Sequence, residues 1–167
     1  MNIFILGLMG SGKSFWADKL GKLLNIPSFH LDDEIERSEQ KTIAQIFAEK
    51  GEEYFRNKET EVLKSFADKN NFILSVGGGT PCFNDNMDWM NTNGSTIWID
   101  EPVETIEKRL LTEKSHRPLI ANIPDKNLHT FLSEMLNKRS PFYSQAKYHL
   151  KQNEIAEETF LKIFLNE

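Results

Sequence analysis

Short apolar runs alternate along the chain with longer segments in which apolar residues recur at helical spacing. Five short runs predict strands: Asn2–Leu6, Ser28–Leu31, Phe72–Val76, Thr96–Ile99 and Tyr148–Leu150. Helices are predicted over Lys13–Leu24, from Thr42 to near Gly51, and over Glu52–Lys69, Pro102–Leu111 and Asp125–Lys138, with a last one around Phe160. Strands that alternate with helices pair in parallel through right-handed crossovers. The pattern therefore predicts an α/β fold, a three-layer sandwich around a five-stranded parallel sheet.

One stretch lacks such a pattern. Residues Thr112 to Ile123 are polar and contain Pro118. A loop of this length inside a compact domain is more often a lid or a binding loop than a plain connection. We expect one domain over residues 1–167, with a lid at about residues 112–124.

Composition narrows the class of protein. The 167 residues carry 20 Lys+Arg against 25 Asp+Glu, a net charge of −5 that argues against a nucleic-acid partner. A single cysteine, Cys82, excludes an internal disulfide and fits a reducing compartment. The longest apolar stretch, Ile3–Met9, is too short for a membrane span and a poor signal peptide. We expect a cytoplasmic protein without a membrane partner.

Six of the nine glycines fall in two clusters, Gly7, Gly10 and Gly12, and Gly77–Gly79. Glycine occurs where the backbone bends sharply or approaches a ligand closely. The two clusters therefore indicate two edges of one binding site.

The first cluster lies in Gly7–Ser14, which matches G-x-x-x-x-G-K-[ST] at every fixed position, after a strand and before a helix. In this motif, backbone N–H groups and the helix N-terminus bind phosphate, the lysine reaches the β- and γ-phosphates, and the serine hydroxyl ligates Mg²⁺. The segment predicts a site for a nucleoside triphosphate with Mg²⁺. The residues assigned to the nucleotide are Gly10, Ser11, Gly12, Lys13, Ser14 and Phe15, with Ser14 as the metal ligand.

The phosphate loop does not identify the acceptor, but other features limit it. The sequence has no Asn/Thr-Lys-x-Asp motif for guanine, and it is too short for a large ATPase. The remaining class is a kinase for a small molecule or a nucleotide.

Several further segments carry a resemblance that spans essentially the whole chain. They are Leu31-Asp32…Ile35-Glu36, Gly51-Glu-Glu-Tyr-Phe-Arg56-Asn-Lys-Glu59, Gly77–Gly79, Arg117-Pro118-Leu119 and Arg139…Tyr143. In this order and spacing they resemble the shikimate kinase family. The resemblance implies a P-loop kinase fold with a lid, and transfer of the γ-phosphoryl group of ATP to the 3-hydroxyl of shikimate. We expect a monomer.

The resemblance also implies roles for single residues. It assigns shikimate binding, within a region at about residues 32–61 and beyond it, to Asp32, Arg56, Gly77, Gly78, Gly79 and Arg139. It assigns catalysis to Lys13, Asp32 and Arg117, the stacking of adenine to Arg109, and the closing of the lid over the ATP phosphates to Arg117. The chemistry is consistent, because two guanidinium groups suit a carboxylate and one carboxylate suits ring hydroxyls.

The chain departs from the family at His30-Leu31-Asp32, where the family has Asp-x-Asp. Asp32 keeps the substrate-binding position, whereas His30 replaces the aspartate that assists Mg²⁺ through water. Our hypothesis is that His30 forms a neutral hydrogen bond to a metal-bound water and weakens Mg²⁺ binding. The family also has a loop after its fifth strand. Here Lys151–Asn153 lead directly to the last helix, so no adenine contacts can be assigned to them.

Other interpretations stay open at this point. Asp32 alone can be a helix cap, and Arg56, Arg117 and Arg139 alone can be solvated surface charges. A kinase of the same fold can take gluconate or a nucleoside monophosphate instead. A nucleotide-binding module that has lost activity, with His30 as the cause, is a third possibility.

Overall fold

The structure is a computed structural model that describes residues 1–165, except the side chains of His116 and Pro118. The last two residues of the expected domain, 166 and 167, lie outside the described residues. The strands are β1 (Asn2–Leu6), β2 (Ser28–His30), β3 (Phe72–Ser75), β4 (Ser95–Asp100) and β5 (Tyr148–Lys151). The helices are α1 (Lys13–Leu24), α2 (Leu31–Glu39), α3 (Ile43–Lys64), α4 (Asn86–Asn93), α5 (Val103–Glu113), α6 (Pro118–Ala121), α7 (Asp125–Tyr143) and α8 (Glu157–Leu165).

The five strands form one parallel sheet in the order β2-β3-β1-β4-β5. This arrangement confirms the predicted fold class. The central strands β1 and β3 are hydrogen-bonded neighbours. The two glycine clusters, which follow these two strands, therefore begin side by side at the carboxyl edge of the sheet, where open α/β sheets bind ligands.

Alternation along β1 divides the core between the two faces of the sheet. Ile3 and Ile5 belong to a buried cluster that contains residues of α1 and α8. Phe4 and Leu6 belong to a second cluster, with residues of α2, α3, α4 and α7. Because successive side chains of a strand point to opposite faces, one buried strand supports helices on both sides.

Three helices, α2, α4 and the short α6, were not among the predicted elements. In α2 only Leu31 and Ile35 are buried, so its nine residues show a weak apolar pattern. Asp32, Asp33 and Glu34 occupy its first turn, where carboxylates favour the helix dipole. In α4, residues of low helix propensity are held by the buried side chains of Met87 and Met90.

Two predicted boundaries were wrong. The helix expected to end at Lys69 ends at Lys64 and continues as a 3₁₀ turn over Ser65–Asp68. The helix expected to end at Lys138 continues to Tyr143, through Pro141. Proline cannot donate to the carbonyl four residues earlier. The hydroxyl of Ser140 donates to that carbonyl, on Asn137, at 3.4 Å, and Tyr143 is fully buried.

The segment predicted as a lid contains short helical turns. A 3₁₀ turn covers Lys114–His116 and α6 covers Pro118–Ala121. Ile120 is buried in a cluster with residues of α5 and α7. Within residues 1–165, no helix combines the length and the apolar character that a membrane crossing requires.

Candidate active site

The phosphate loop connects β1 to α1 in a conformation that depends on glycine. Gly10 and Gly12 have φ angles of 74° and 95°, which side chains rarely adopt. Gly12 directly precedes α1. The N-terminal N–H groups of this helix and its dipole therefore face the space above the loop and favour an anion there.

Lys13 brings a cation to the same place. Its Nζ donates a hydrogen bond to the carbonyl of Leu8 at 2.9 Å. The pKa of Lys13 is lowered to about 8, mainly by burial; Asp32 opposes this shift, and the nearby charges of Arg117 and Arg139 contribute to it. Lys13 thus responds electrostatically to three of the other charged residues predicted for the cleft, Asp32, Arg117 and Arg139.

Ser14, the predicted metal ligand, is exposed in the first turn of α1. Its Oγ lies 3.4 Å from the Oγ of Ser75, at the end of β3. His30 is the partner of Ser75 in the sheet register. The structure therefore places His30 near the predicted metal ligand, as the alignment with the family's first aspartate implies.

His30 is held against α1 by Asp18, which was not among the predicted site residues. Its Nε2 lies 3.0 Å from Oδ1 of Asp18, and Ser28 Oγ donates to the same oxygen at 2.9 Å. The other ring nitrogen, Nδ1, is buried and has no hydrogen-bond partner among the described residues. The ring is therefore anchored through one nitrogen, and the second has unused hydrogen-bonding capacity.

The groups near the phosphate loop suit Mg²⁺ better than a metal ion whose ligands all come from protein side chains. The described residues contain no group of three His, Cys, Asp or Glu side chains that could hold a metal ion. Mg²⁺ is commonly bound by one or two protein oxygens together with substrate phosphates and water. The exposed hydroxyl of Ser14 beside the phosphate loop fits that arrangement.

Asp32 lies in the first turn of α2, on the acceptor side of the cleft. Withdrawal from bulk water raises the pKa of its carboxyl, as do Asp33 and Glu36, while Lys13 and Arg56 lower it. Its Oδ1 lies 3.5 Å from the position that a Cβ would take at Gly77. Asp32 therefore contacts the start of the second glycine cluster and faces the phosphate-loop lysine.

Arg56, on α3, is held on several sides. Its Nη1 donates to Oε1 of Glu59 at 2.9 Å, and its guanidinium carbon lies 4.3 Å from the ring centre of Phe83. Glu59 is buried, and its second oxygen accepts a hydrogen bond from the hydroxyl of Thr80 at 2.6 Å. The spacing of Arg56 and Glu59 in the sequence indicates that Glu59 holds Arg56 in position. No feature of the sequence points to Phe83 or Thr80.

The glycine triplet lets two guanidinium groups pack against backbone. A Cβ at Gly78 would lie 2.8 Å from Nη1 of Arg139, and one at Gly79 would lie 2.6 Å from Nη2 of Arg56. The hydroxyl of Tyr143, one turn after Arg139 on α7, donates to the carbonyl of Gly78 at 2.5 Å. Arg139 has no ion-pair partner among residues 1–165. The structure thus brings Arg56 and Arg139 to one loop.

Of the other predicted nucleotide contacts, Arg109 contacts the phosphate loop, whereas Arg117 pairs with a glutamate. Arg109 donates to the carbonyl of Gly10 at 3.1 Å and to Glu101 at 2.9 Å. Arg117 binds Glu113 through two nitrogens, at 3.1 and 2.8 Å. The Phe15 side chain is 62% exposed and packs edge-on to Trp16.

A phosphate loop that opens a helix, opposite a carboxylate and two arginines, defines a phosphotransferase of the P-loop class. A family model described as shikimate kinase matches residues 9–166. The chain therefore belongs to the shikimate kinase family, which confirms the resemblance seen in the sequence.

Individual relatives and solved structures agree. The chain is 40% identical to the shikimate kinase of Phocaeicola vulgatus over 153 residues, 92% of this chain and 87% of the relative. The crystal structure of shikimate kinase from Bacteroides thetaiotaomicron is 34% identical with a TM-score of 0.91, and covers 100% of this chain and 99% of that one. Shikimate kinase from Acinetobacter baumannii in complex with shikimate is 31% identical with a TM-score of 0.88, over 99% and 93% of the two chains.

Proposed function

We propose that this protein transfers the γ-phosphoryl group of ATP to the 3-hydroxyl of shikimate, with Mg²⁺. One observation supports this most strongly: Arg56 and Arg139 both pack against the glycine triplet, opposite the phosphate-loop lysine. Two arginine side chains that meet at the glycine triplet can bind a carboxylate. Shikimate carries a carboxylate, whereas a simple polyol does not.

The acceptor is held by groups of three kinds. Arg56 and Arg139 bind its carboxylate, and the bare backbone of Gly77–Gly79 allows the ring to approach. Asp32 accepts a hydrogen bond from the reacting hydroxyl. The raised pKa of Asp32 makes it a stronger base than an ordinary carboxylate, so it is suited to receive the hydroxyl proton as the bond to phosphorus forms.

On the nucleotide side, the residues neutralise charge. Lys13 faces the β- and γ-phosphates, and Arg117 reaches the γ-phosphate from the lid. Mg²⁺, held through Ser14, supplies further neutralisation of the phosphate oxygens when bound. The transfer is an in-line displacement in which the oxygen of shikimate attacks phosphorus and ADP leaves, so catalysis comes mainly from positioning and electrostatic stabilisation.

The proposal includes further features expected from the sequence. Residues at about 112–124 act as the lid, and residues at about 32–61 form the main shikimate-binding region. Arg109, next to the phosphate loop, stacks on adenine. The protein acts as a monomer in the cytoplasm, and sedimentation analysis of the purified chain tests the monomer.

An ADP-release assay tests the function. We expect Mg²⁺-dependent ADP release with shikimate and little release with gluconate, nucleoside monophosphates or no acceptor. A K13A preparation, purified in the same way, controls for contaminating kinases. Turnover with gluconate or a nucleotide and none with shikimate would identify a different acceptor. ATP binding without turnover on any acceptor would identify an inactive nucleotide-binding module.

A further inference from the structure

Glu59 connects two parts of the acceptor pocket that are distant in sequence. One of its oxygens accepts a hydrogen bond from Arg56 at 2.9 Å, and the other accepts one from Thr80 at 2.6 Å. Arg56 lies one turn earlier on α3, whereas Thr80 lies 21 residues later, directly after the glycine triplet. The carboxylate therefore joins the substrate-binding arginine to the glycine loop.

The hydrogen bond between Glu59 and Thr80 is buried on both sides. Glu59 is 1% exposed and Thr80 is fully buried. A carboxylate withdrawn from water is destabilised unless hydrogen bonds replace its solvent, and burial indeed raises the pKa of Glu59. Arg56 and Thr80 both lower that pKa again. The hydroxyl thus helps Glu59 to remain an anion, and the anion is what attracts Arg56.

The Thr80 hydroxyl has a defined position because its backbone is fixed. Its N–H donates to the carbonyl of Gly77 at 3.1 Å. Its carbonyl accepts a hydrogen bond from the buried amide of Asn86 at 3.0 Å. A hydroxyl anchored in this way can set the position of the carboxylate.

We propose that Thr80 is a positioning residue for the acceptor: its hydroxyl orients the Glu59 carboxylate, which in turn holds the Arg56 guanidinium ready for the carboxylate of shikimate. The inference rests on the proposed function, and it predicts an effect on shikimate binding alone. Because Thr80 is fully buried and its hydroxyl is bonded to Glu59, its effect on the acceptor passes through that carboxylate.

The first test compares Thr80→Val with Thr80→Ser in steady-state kinetics. Valine keeps the shape of threonine and removes the hydroxyl, so we expect the KM for shikimate to rise roughly tenfold, as expected from loss of one hydrogen bond to a charged group. The KM for ATP and the kcat should stay within about twofold. T80S should match the wild type.

The matched control is Thr92→Val. Thr92 lies on α4, and its hydroxyl donates at 2.9 Å to the backbone carbonyl of Asp88. We expect T92V to leave the KM for shikimate unchanged. Thermal denaturation of each variant checks folding, and Thr80→Ala, which also lacks the hydroxyl but needs less space, replaces T80V if valine does not fold.

The second test is a pH profile, because a purely structural role would not shift one. The titratable and charged groups that act on Glu59 are Arg56 on α3 and Asp32 on α2, and Glu59 itself acts on Cys82 after the glycine loop. Removing the hydroxyl raises the pKa of Glu59 further, so Glu59 becomes neutral at a higher pH. The rise in the KM for shikimate on acidification should therefore begin at a higher pH in T80V than in the wild type or T80S.

A double-mutant cycle completes the test. If Thr80 acts through Glu59, T80V should add nothing to the KM for shikimate in an E59Q background. The inference is overturned by an unchanged KM in T80V and T80A, by equal loss in T80S, or by additive effects with E59Q. If the wild type does not phosphorylate shikimate, both the function and the inference fail, whereas an active wild type with an unaffected T80V refutes the inference alone.

Discussion

The two walls of the cleft are built differently. The phosphate wall, Gly7–Ser14, is one continuous segment whose main binding groups belong to the backbone and to Lys13. The acceptor wall combines side chains from separate segments: Asp32, Arg56 and Glu59, Gly77–Thr80, and Arg139. On the first wall the local conformation places the binding groups, whereas on the second each charged group is held by another side chain or by a loop from elsewhere in the chain.

The two walls should therefore contribute to different kinetic constants. The phosphate wall faces the phosphoryl group that is transferred, so the loss of a binding group from this wall should lower kcat. The acceptor wall orients a substrate through interactions that can be weakened one at a time, so its loss should appear mainly in the KM for shikimate.

Lys13→Ala should reduce kcat by roughly a thousandfold or more, because it removes a cation that stabilises the transition state. Steady-state ADP release with saturating shikimate and ATP measures this. Lys19→Ala on the same helix, where Lys19 pairs with Glu157 at 2.9 Å, is the control and should leave kcat unchanged. A K13A enzyme with kcat within tenfold of the wild type would show that the phosphate wall is not dominant.

Arg139→Ala should raise the KM for shikimate by about a hundredfold, because a charged partner of the substrate carboxylate is lost. The KM for ATP should change little. Lys147→Ala, which removes an exposed cation whose Nζ donates to the carbonyl of Gly94 at 2.8 Å, is the control. An unchanged KM for shikimate in R139A would mean that the acceptor pocket is assigned to the wrong residues.

The activity should decline on the alkaline side because of Lys13. Its pKa is lowered to about 8, so the cation is present below that pH and is lost above it. We expect kcat/KM for ATP, which reports the free enzyme, to fall by about tenfold per pH unit above pH 8. In R139A the decline should begin at a higher pH, because Arg139 is one of the charges that lower this pKa. A profile that is flat to pH 9.5 would contradict the assignment.

His30→Asp should strengthen apparent Mg²⁺ binding, by at most about tenfold, because a carboxylate attracts metal-bound water more than a neutral imidazole does. The measurement is a Mg²⁺ titration of nucleotide binding. Since Asp18 lies 3.0 Å from His30 Nε2, the combination with Asp18→Asn separates repulsion between carboxylates from the metal effect. H149N, at a second histidine paired with an aspartate, is the control. An unchanged Mg²⁺ affinity in both variants would refute the hypothesis.

The contrast between the walls also explains what the sequence could predict. The phosphate loop is a contiguous motif between a strand and a helix, and both flanking elements were predicted within a residue of their observed bounds. Asp32, Arg56 and Arg139 were identified because they match a family pattern. Asp18, Phe83 and Thr80 had no such signal, because their partners are brought close only by the sheet and by the loop after β3.

The net charge of −5 illustrates the same limit. It argued against a nucleic-acid surface, but it describes the whole chain and not the cleft. Electrostatic interactions link Lys13 to Arg117 and Arg139, and Cys82 to Arg56 and Arg139. Cations that are far apart in sequence therefore surround one site in an acidic protein.

The alternation of strands and helices, the parallel sheet, the phosphate loop and the family could be predicted from the sequence, because they depend on periodicity and on short motifs. The fold was needed to show that Glu59 joins Arg56 to Thr80, that His30 pairs with Asp18, and that α7 continues through Pro141 and places Tyr143 against Gly78. The contacts of Glu59 with Thr80, of His30 with Asp18 and of Tyr143 with Gly78 join residues 12 to 65 positions apart. Whether distant polar groups meet depends on packing in three dimensions, which no local pattern encodes.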